Sequence, residues 1–207
     1  MYIPAHFREN DINALHQFIQ EYSFGILVTQ REGVPVANHL PFLLDAGRGL
    51  QGVLRAHMAR GNAQWRMLDE TKEVLVIFQG SHSYVSPSWY RDDVEESVPT
   101  WNYAAVHAYG MPRLIEDSSE LLRILQASVD ENEAQFARPW HLEMPDESLQ
   151  KKLKAIVGFE IEITRLEGKF KLSQNRSAAD QQRVIAALGE AMSPDTAELM
   201  RQRLDRK

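Results

Sequence analysis

Glu167–Arg176 reads EGKFKLSQNR and closes the alternating run GFEIEITR with a concentration of hydrogen-bond donors. In an extended chain Lys169 and Lys171 project to one face and Phe170 and Leu172 to the other. Ser173, Gln174, Asn175 and Arg176 then arrive together. Such a set suits an anion; the plainer alternative is a strand running out into solvent. A second donor set lies in LRAHMARGNAQW, where Arg55 and His57 share one strand face and Leu54, Ala56 and Met58 the other. The chain then passes Arg60, Gly61 and Asn62 into a helix. Donors at a strand end followed by free amides at a helix start can cradle a phosphate. The alternative is a wet sheet face with Asn62 as a helix cap. A third set is aromatic: Tyr84, Trp89, Tyr90, Trp101 and Tyr103 stand among Gln, Ser, His and Asn. Planar rings with scattered amides suit a flat heteroaromatic ligand, and equally a core or a subunit contact.

Other chemistries are argued against. Gly47, Gly49 and Gly52 spell GxGxxG in AGRGLQG, but a dinucleotide site needs a helix next, and VLRAHMA alternates like a strand. These glycines read as a turn. The seven histidines are scattered from His6 to His141 without an HxH or HExxH pair, so no metal site is expected. There is no GxSxG elbow, and nothing in the spacing of Ser, His and Asp supports hydrolysis.

The elements that must position these residues belong to a chain of 207 residues, a length suited to one domain. It has no cysteine, which removes disulfides and thiolate metal sites. The start, MYIPAHFREN, shows no signal-peptide pattern, and the longest apolar runs, such as VLVIF, are too short to span a bilayer. The expectation is a cytoplasmic protein with no membrane partner. A net charge of -6 argues against a DNA partner gripped through its phosphates. The tail 177–207 balances five basic residues (Arg183, Arg201, Arg203, Arg206, Lys207) against five acidic ones, and RQRLDRK is its only basic cluster.

A helix is expected over NDINALHQFIQEYS, capped by Asn10 or Asp11, with Ile12, Leu15, Ile19 and Tyr22 as its apolar stripe. FGILVTQ and VPVANHLPFLLD read as strands about the turn REG, and LQGVLRAHMA as a third. NAQWRMLDE is a short helix, and strand character continues through EVLVIFQG and SHSYVSPSWY until Pro87. RDDVEES, 91–97, is a loop, and VPTWNYAAVHAYGMPRLIE returns to strand. SSELLRILQASVDENEAQF is the longest helix, capped at Ser118 or Ser119, with Leu121, Leu122, Leu125 and Val129 on one face. DESLQKKLKAI is helical, and VGFEIEITRLEGKFKLS is a long strand with a bulge or turn at Glu167 and Gly168. Two tail helices start at a Ser177 cap and at Pro194. Closely spaced strands with helices toward both ends define an α+β protein, a small antiparallel β-barrel with helices packed outside.

Together MYIPAHF, ANHLPFLLD, LRAHMARGNAQW, FQGSHSYVSPSWY, VPTWNYAAVHAYG and IVGFEIEITRLEGKFKLSQNR resemble the PaiB-type proteins, in order from Met1 to about Leu188. The resemblance implies an antiparallel six-stranded split β-barrel of the pyridoxamine-phosphate-oxidase type with peripheral helices. The barrel would span 1–176, with a helical extension over 177–207. It implies FMN as cofactor, held at the interface of a homodimer, and a role as a negative transcriptional regulator. Such regulators are linked in spore-forming bacteria to sporulation and secreted-protease genes. An FMN-dependent oxidoreductase or flavin reductase without direct DNA binding, and a haem-binding split barrel, remain as alternatives. By position in related barrels, Arg55, His57, Arg60, Gly61 and Asn62 would meet the flavin phosphate. Asn38, His39 and Leu40 would run beside the ring, as would Gln79 and Gly80. Trp101 and Asn102, with Lys171, Ser173, Gln174, Asn175 and Arg176, would come from the partner subunit or close the pocket. The oxidases carry a more basic Ser-Arg-Lys-type turn where this chain reads ARGN.

Overall fold

Alternating apolar residues build six long antiparallel strands, and two very short ones join them. A computed structural model describes residues 1–91, 96–143, 146–191 and 193–205. The strands are β1 (Arg8–Glu9), β2 (Phe24–Arg31), β3 (Val34–Pro41), β4 (Leu43–Asp45), β5 (Val53–Ala59), β6 (Val74–Val85), β7 (Thr100–Ile115) and β8 (Ile156–Lys171). In strand order the sheet runs β3-β2-β6-β7-β8-β5-β4, and β1 pairs with β8. Six strands were expected; the extra two, β1 and β4, span two and three residues, too few for alternation to register. Among the described residues there are five α-helices: α1 (Ile12–Glu21), α2 (Ser118–Glu133), α3 (Asp146–Lys154), α4 (Ala178–Ala191) and α5 (Pro194–Asp205). Most of the 91–97 loop, namely 92–95, lies outside the described residues, as do Arg206 and Lys207. Among the described residues no helix is long and apolar enough to cross a membrane.

The chain forms two compact units. The first comprises Met1–Leu15, Gln79–Val106 and Glu167–Lys207; the second comprises His16–Phe78 and His107–Leu166. In the second unit Glu32 and Gly33 both take positive φ, 53° and 83°, which is what a two-residue hairpin turn between β2 and β3 requires. Gly49 and Gly52 also have positive φ and carry the connection from β4 to β5. Strand β5 follows them, in keeping with the alternation of VLRAHMA. Leu43, Ile115, Leu121, Ile124 and Leu153 form a core with Leu125, Leu149 and Ile156 packed against it. The buried face of α2 is thus set by Leu121 and Ile124 rather than by Leu122 and Val129. Its cap is Asp117, not Ser118 or Ser119: the Asp117 carboxylate accepts from the Glu120 amide at 2.8 Å. An anion there also gains from the helix dipole.

In α1 the Asp11 carboxylate accepts from the Asn13 amide, while Ala14, Leu15, Phe18 and Ile19 are buried. Ile12, expected in that stripe, is exposed in the first turn. In the first unit β8 continues through Glu167 and Gly168 without a break. Gly168 lacks a side chain where Leu15 and the Glu9 carbonyl approach. The Ser177 hydroxyl accepts from the Asp180 amide at the start of α4, and Pro194 opens α5.

Candidate functional site

Within the second unit, Arg55 and His57 lie on the face of β5 that α2 and α3 cover. Arg55 stands opposite Leu43, a member of the helix-packing core, and His57 stands opposite Gly158, whose missing side chain is filled by Leu121. The Arg55 Nη2 donates to Asp45 at 3.1 Å, and its buried Nε has no hydrogen-bond partner. Burial holds the His57 imidazole below its ordinary pKa, so at neutral pH it is an uncharged donor. Arg60 is engaged differently: its Nε and Nη2 donate to the carbonyls of Lys154 and Ile156, both at 2.9 Å, at the end of α3. Asn62 caps the turn that follows, accepting from the Gln64 amide at 3.0 Å. That turn, Ala63–Met67, is 3-10 and five residues long. Gly61 is open to solvent on its side-chain face.

One residue that the sequence did not mark organises this region. Gln64 is buried, and its Nε2 lies 3.1 Å from the Leu27 carbonyl, the Thr29 hydroxyl and the Val36 carbonyl. Its Oε1 accepts from Asn38 Nδ2 at 2.8 Å. Asn38 is therefore held to the Ala63–Met67 turn, while His39 is exposed and stacks on Phe24, and Leu40 is buried. The only sequence signal was a polar side chain between Ala63 and Trp65. Gln64→Leu keeps the volume but takes a donor from the buried Leu27 carbonyl and the half-buried Val36 carbonyl. It should lower stability by about 1–2 kcal/mol, read as a shift of the urea midpoint. An unchanged midpoint would remove Gln64 from this role.

A second cluster in this unit surrounds Glu160, which is buried and faces Arg55 across the β5–β8 ladder. It accepts from Arg48 at 2.9 and 3.2 Å and from Arg113 Nε at 3.1 Å, and Arg113 also reaches Glu120 at 3.2 Å. Three guanidinium groups thus gather around a few carboxylates on one sheet face.

The first unit holds the other expected residues. Lys171 Nζ donates to the Thr100 hydroxyl and the Trp101 carbonyl, both at 2.5 Å. Burial first, then the like charges of Lys169 and Arg176, lowers the Lys171 pKa. Asn102 is fully buried and exchanges hydrogen bonds with Ser173 Oγ at 2.9 and 3.2 Å. Ser173 adopts φ 66°, which turns the chain out of β8. Gln174 folds back, accepting from the Leu172 amide and donating to the Phe170 carbonyl. Arg176 lies over the Tyr90 ring at 4.3 Å and donates to Ser97. Asn175 is exposed. Gln79 is exposed and contacts His82 at 3.4 Å, Gly80 is buried, and Trp101 is half-exposed with His82 and Tyr84 beside it. The end of β8 is therefore a packed turn rather than a frayed end.

The fold is an antiparallel split barrel with flanking helices. The FAD- and haem-binding protein of Mycobacterium smegmatis superposes with a TM-score of 0.62 at 18% identity, covering 87% of this chain and 80% of that one. The flavocytochrome Anf3 of Azotobacter vinelandii superposes with a TM-score of 0.60 at 14% identity, covering 82% and 72%. Residues 1–165 match the family described as "Putative FMN-binding domain". The chain is 39% identical to "Protease synthase and sporulation protein PAI 2" of Bacillus subtilis over 212 residues, the full length of both. An uncharacterised protein of Emericella nidulans is 35% identical over 248 residues, 100% of this chain and 99% of that one. This chain belongs to the PaiB-type FMN-binding family, and FMN is the cofactor that membership assigns to it.

The donor set of the second unit fits an anionic group at one place. Buried donors are almost always paired, and the Arg55 Nε is an orphan beside a neutral His57. Arg60 and Asn62, by contrast, already satisfy backbone groups of their own unit.

Proposed function

We propose that this protein binds FMN at the interface of a homodimer and acts as a flavin-responsive negative regulator of gene expression. The observation that carries this reading is similarity to PAI 2 along the full length of both chains, together with the family match. When bound, FMN would supply a ring that changes charge and shape with redox state. The residues of this chain would hold it: Arg55 through its unpaired Nε, with His57 as a neutral donor beside it. Asn38, His39, Leu40, Gln79 and Gly80 are the proposed neighbours of the ring. Trp101, Asn102 and the turn Lys171–Arg176 would order the partner-facing edge, with exposed Asn175 and half-buried Arg176 reaching the ligand. With a net charge of -6, regulation would proceed without an extended phosphate-gripping surface.

The test is an FMN titration of purified protein with light scattering on the same sample. One flavin per chain in a dimer is the expected result; a monomer, or no saturable binding, ends the proposal. Bleaching of bound flavin by NADPH at a catalytic rate would move the protein to the reductases. Arg55→Ala is expected to weaken FMN about tenfold and to leave riboflavin, which lacks the phosphate, unchanged. Equal loss for both ligands would show that Arg55 supports the fold instead.

A further inference from the structure

The surroundings of Gln64, within the second unit, leave its amide one orientation. Two of the three acceptors around its Nε2, the carbonyls of Leu27 and Val36, cannot donate, and each lies at 3.1 Å. The third, the Thr29 hydroxyl, is also at 3.1 Å and directs its own proton to the Met67 sulfur at 3.4 Å. Turning the amide over would set Gln64 Oε1 against two carbonyl oxygens. At 1% exposure water cannot relieve such a contact.

The constraint passes to Asn38. Gln64 Oε1 faces it, and an amide oxygen only accepts, so Asn38 answers with its Nδ2 at 2.8 Å. The two ends of a carboxamide point apart, and Asn38 Oδ1 is therefore turned away from Gln64. An isolated asparagine rotates to present either end to a ligand. Tied to Gln64, the half-exposed Asn38 presents its acceptor. The same glutamine spans two parts of the proposed site: its backbone amide donates to Asn62 in the Arg60–Asn62 turn, and its side chain sets Asn38 on β3.

We propose that Asn38 accepts a hydrogen bond from the flavin ring and that Gln64 is the positioning residue that keeps Asn38 Oδ1 turned toward it. The inference rests on the placement of Asn38 beside the ring in the reading above. It names the ligand group that matches: the oxidised isoalloxazine carries one ring N–H, at N3, among carbonyls and acceptor nitrogens. The N3 edge is the part of the ring that this amide selects. A site built around such a bond discriminates against a ligand that lacks the N–H.

The experiment titrates FMN and its N3-methyl derivative into the full chain, followed by flavin fluorescence. The wild type is expected to bind FMN roughly tenfold more tightly than the methylated flavin, a modest factor because Asn38 is half-exposed. Asn38→Ala should weaken FMN by about that factor and bind the two flavins alike. Gln64→Leu releases the Asn38 amide and should lose most of the discrimination, and the double variant should bind FMN no more weakly than Asn38→Ala. A Gln64→Leu protein that weakens both flavins equally, with its loss added in full to that of Asn38→Ala, would remove Gln64 as the positioning residue. Equal binding of the two flavins by the wild type, or an Asn38→Ala protein that still prefers FMN, overturns the proposal and leaves the cofactor reading standing. A wild type without saturable FMN binding overturns both.

Discussion

Gly110→Ala is expected to cost more than about 3 kcal/mol and to leave much of the protein unfolded during expression. Gly110 lies within β7, beside β8. A Cβ there would overlap the Glu162 carbonyl oxygen and stand 2.6 Å from Ile161 Cγ2 and 2.9 Å from the Glu162 carbonyl carbon. Two of these obstacles are backbone, and Ile161 is fully buried, so no flexible side chain can yield. Relief requires drawing β7 away from β8, which breaks ladder hydrogen bonds and opens the core beneath them. A glycine inside a strand often marks such a close backbone approach. Gly61→Ala is the matched control. Its Cβ meets nothing within 4 Å and its φ lies outside the left-handed region. It should change stability by less than about 1 kcal/mol, with a gain as readily as a loss. Urea denaturation followed by tryptophan fluorescence measures both. A Gly110→Ala midpoint close to that of the wild type would mean that the strands accommodate a methyl group here.

The six long strands were legible because each alternates over at least seven residues, and the turns between them carry their own chemistry, as at Glu32 and Gly33. Helix existence was legible too, but capping was not: Asp117 and Ser118 are both good caps, and only the chain path selects one. The donor-rich stretches were legible as residue types and not as commitments. Whether Arg60 meets a ligand or a carbonyl depends on where Lys154 and Ile156 arrive, more than 90 positions away. Gln64 is the same lesson in reverse, a polar residue of a short polar segment that became buried when β2 and β3 closed around it. The two lysines of β8 could be placed on one face from alternation alone. That Lys171 donates to the Thr100 hydroxyl and the Trp101 carbonyl could not be read, because β7 brings those groups from 70 and 71 positions away.

Glu160→Ala is expected to cost about 3 kcal/mol, near the low end for breaking a buried ion pair. The carboxylate is 7% exposed, but Arg48 and Arg113 are each about half-exposed, so water recovers part of what they lose. What keeps the cost high is the company: without Glu160, the guanidinium groups of Arg48, Arg55 and Arg113 share one sheet face and are left to Asp45 and Glu120 among the described residues. Glu160→Gln retains an acceptor and should cost about half as much. The same group sets a pH dependence. Burial pushes the Glu160 pKa up, and the hydrogen bonds from Arg48 and Arg113 more than reverse this, leaving it below the ordinary carboxylate value. A depressed folded-state pKa means stability that is fully present above the unfolded value of ~4.3 and is lost as pH falls through the folded value. The gap between the wild type and Glu160→Gln should therefore be constant from about pH 7 to pH 5 and shrink below about pH 4. Urea midpoints taken across that range decide it, and a gap that stayed constant down to about pH 3 would show that the carboxylate contributes no more charged than neutral.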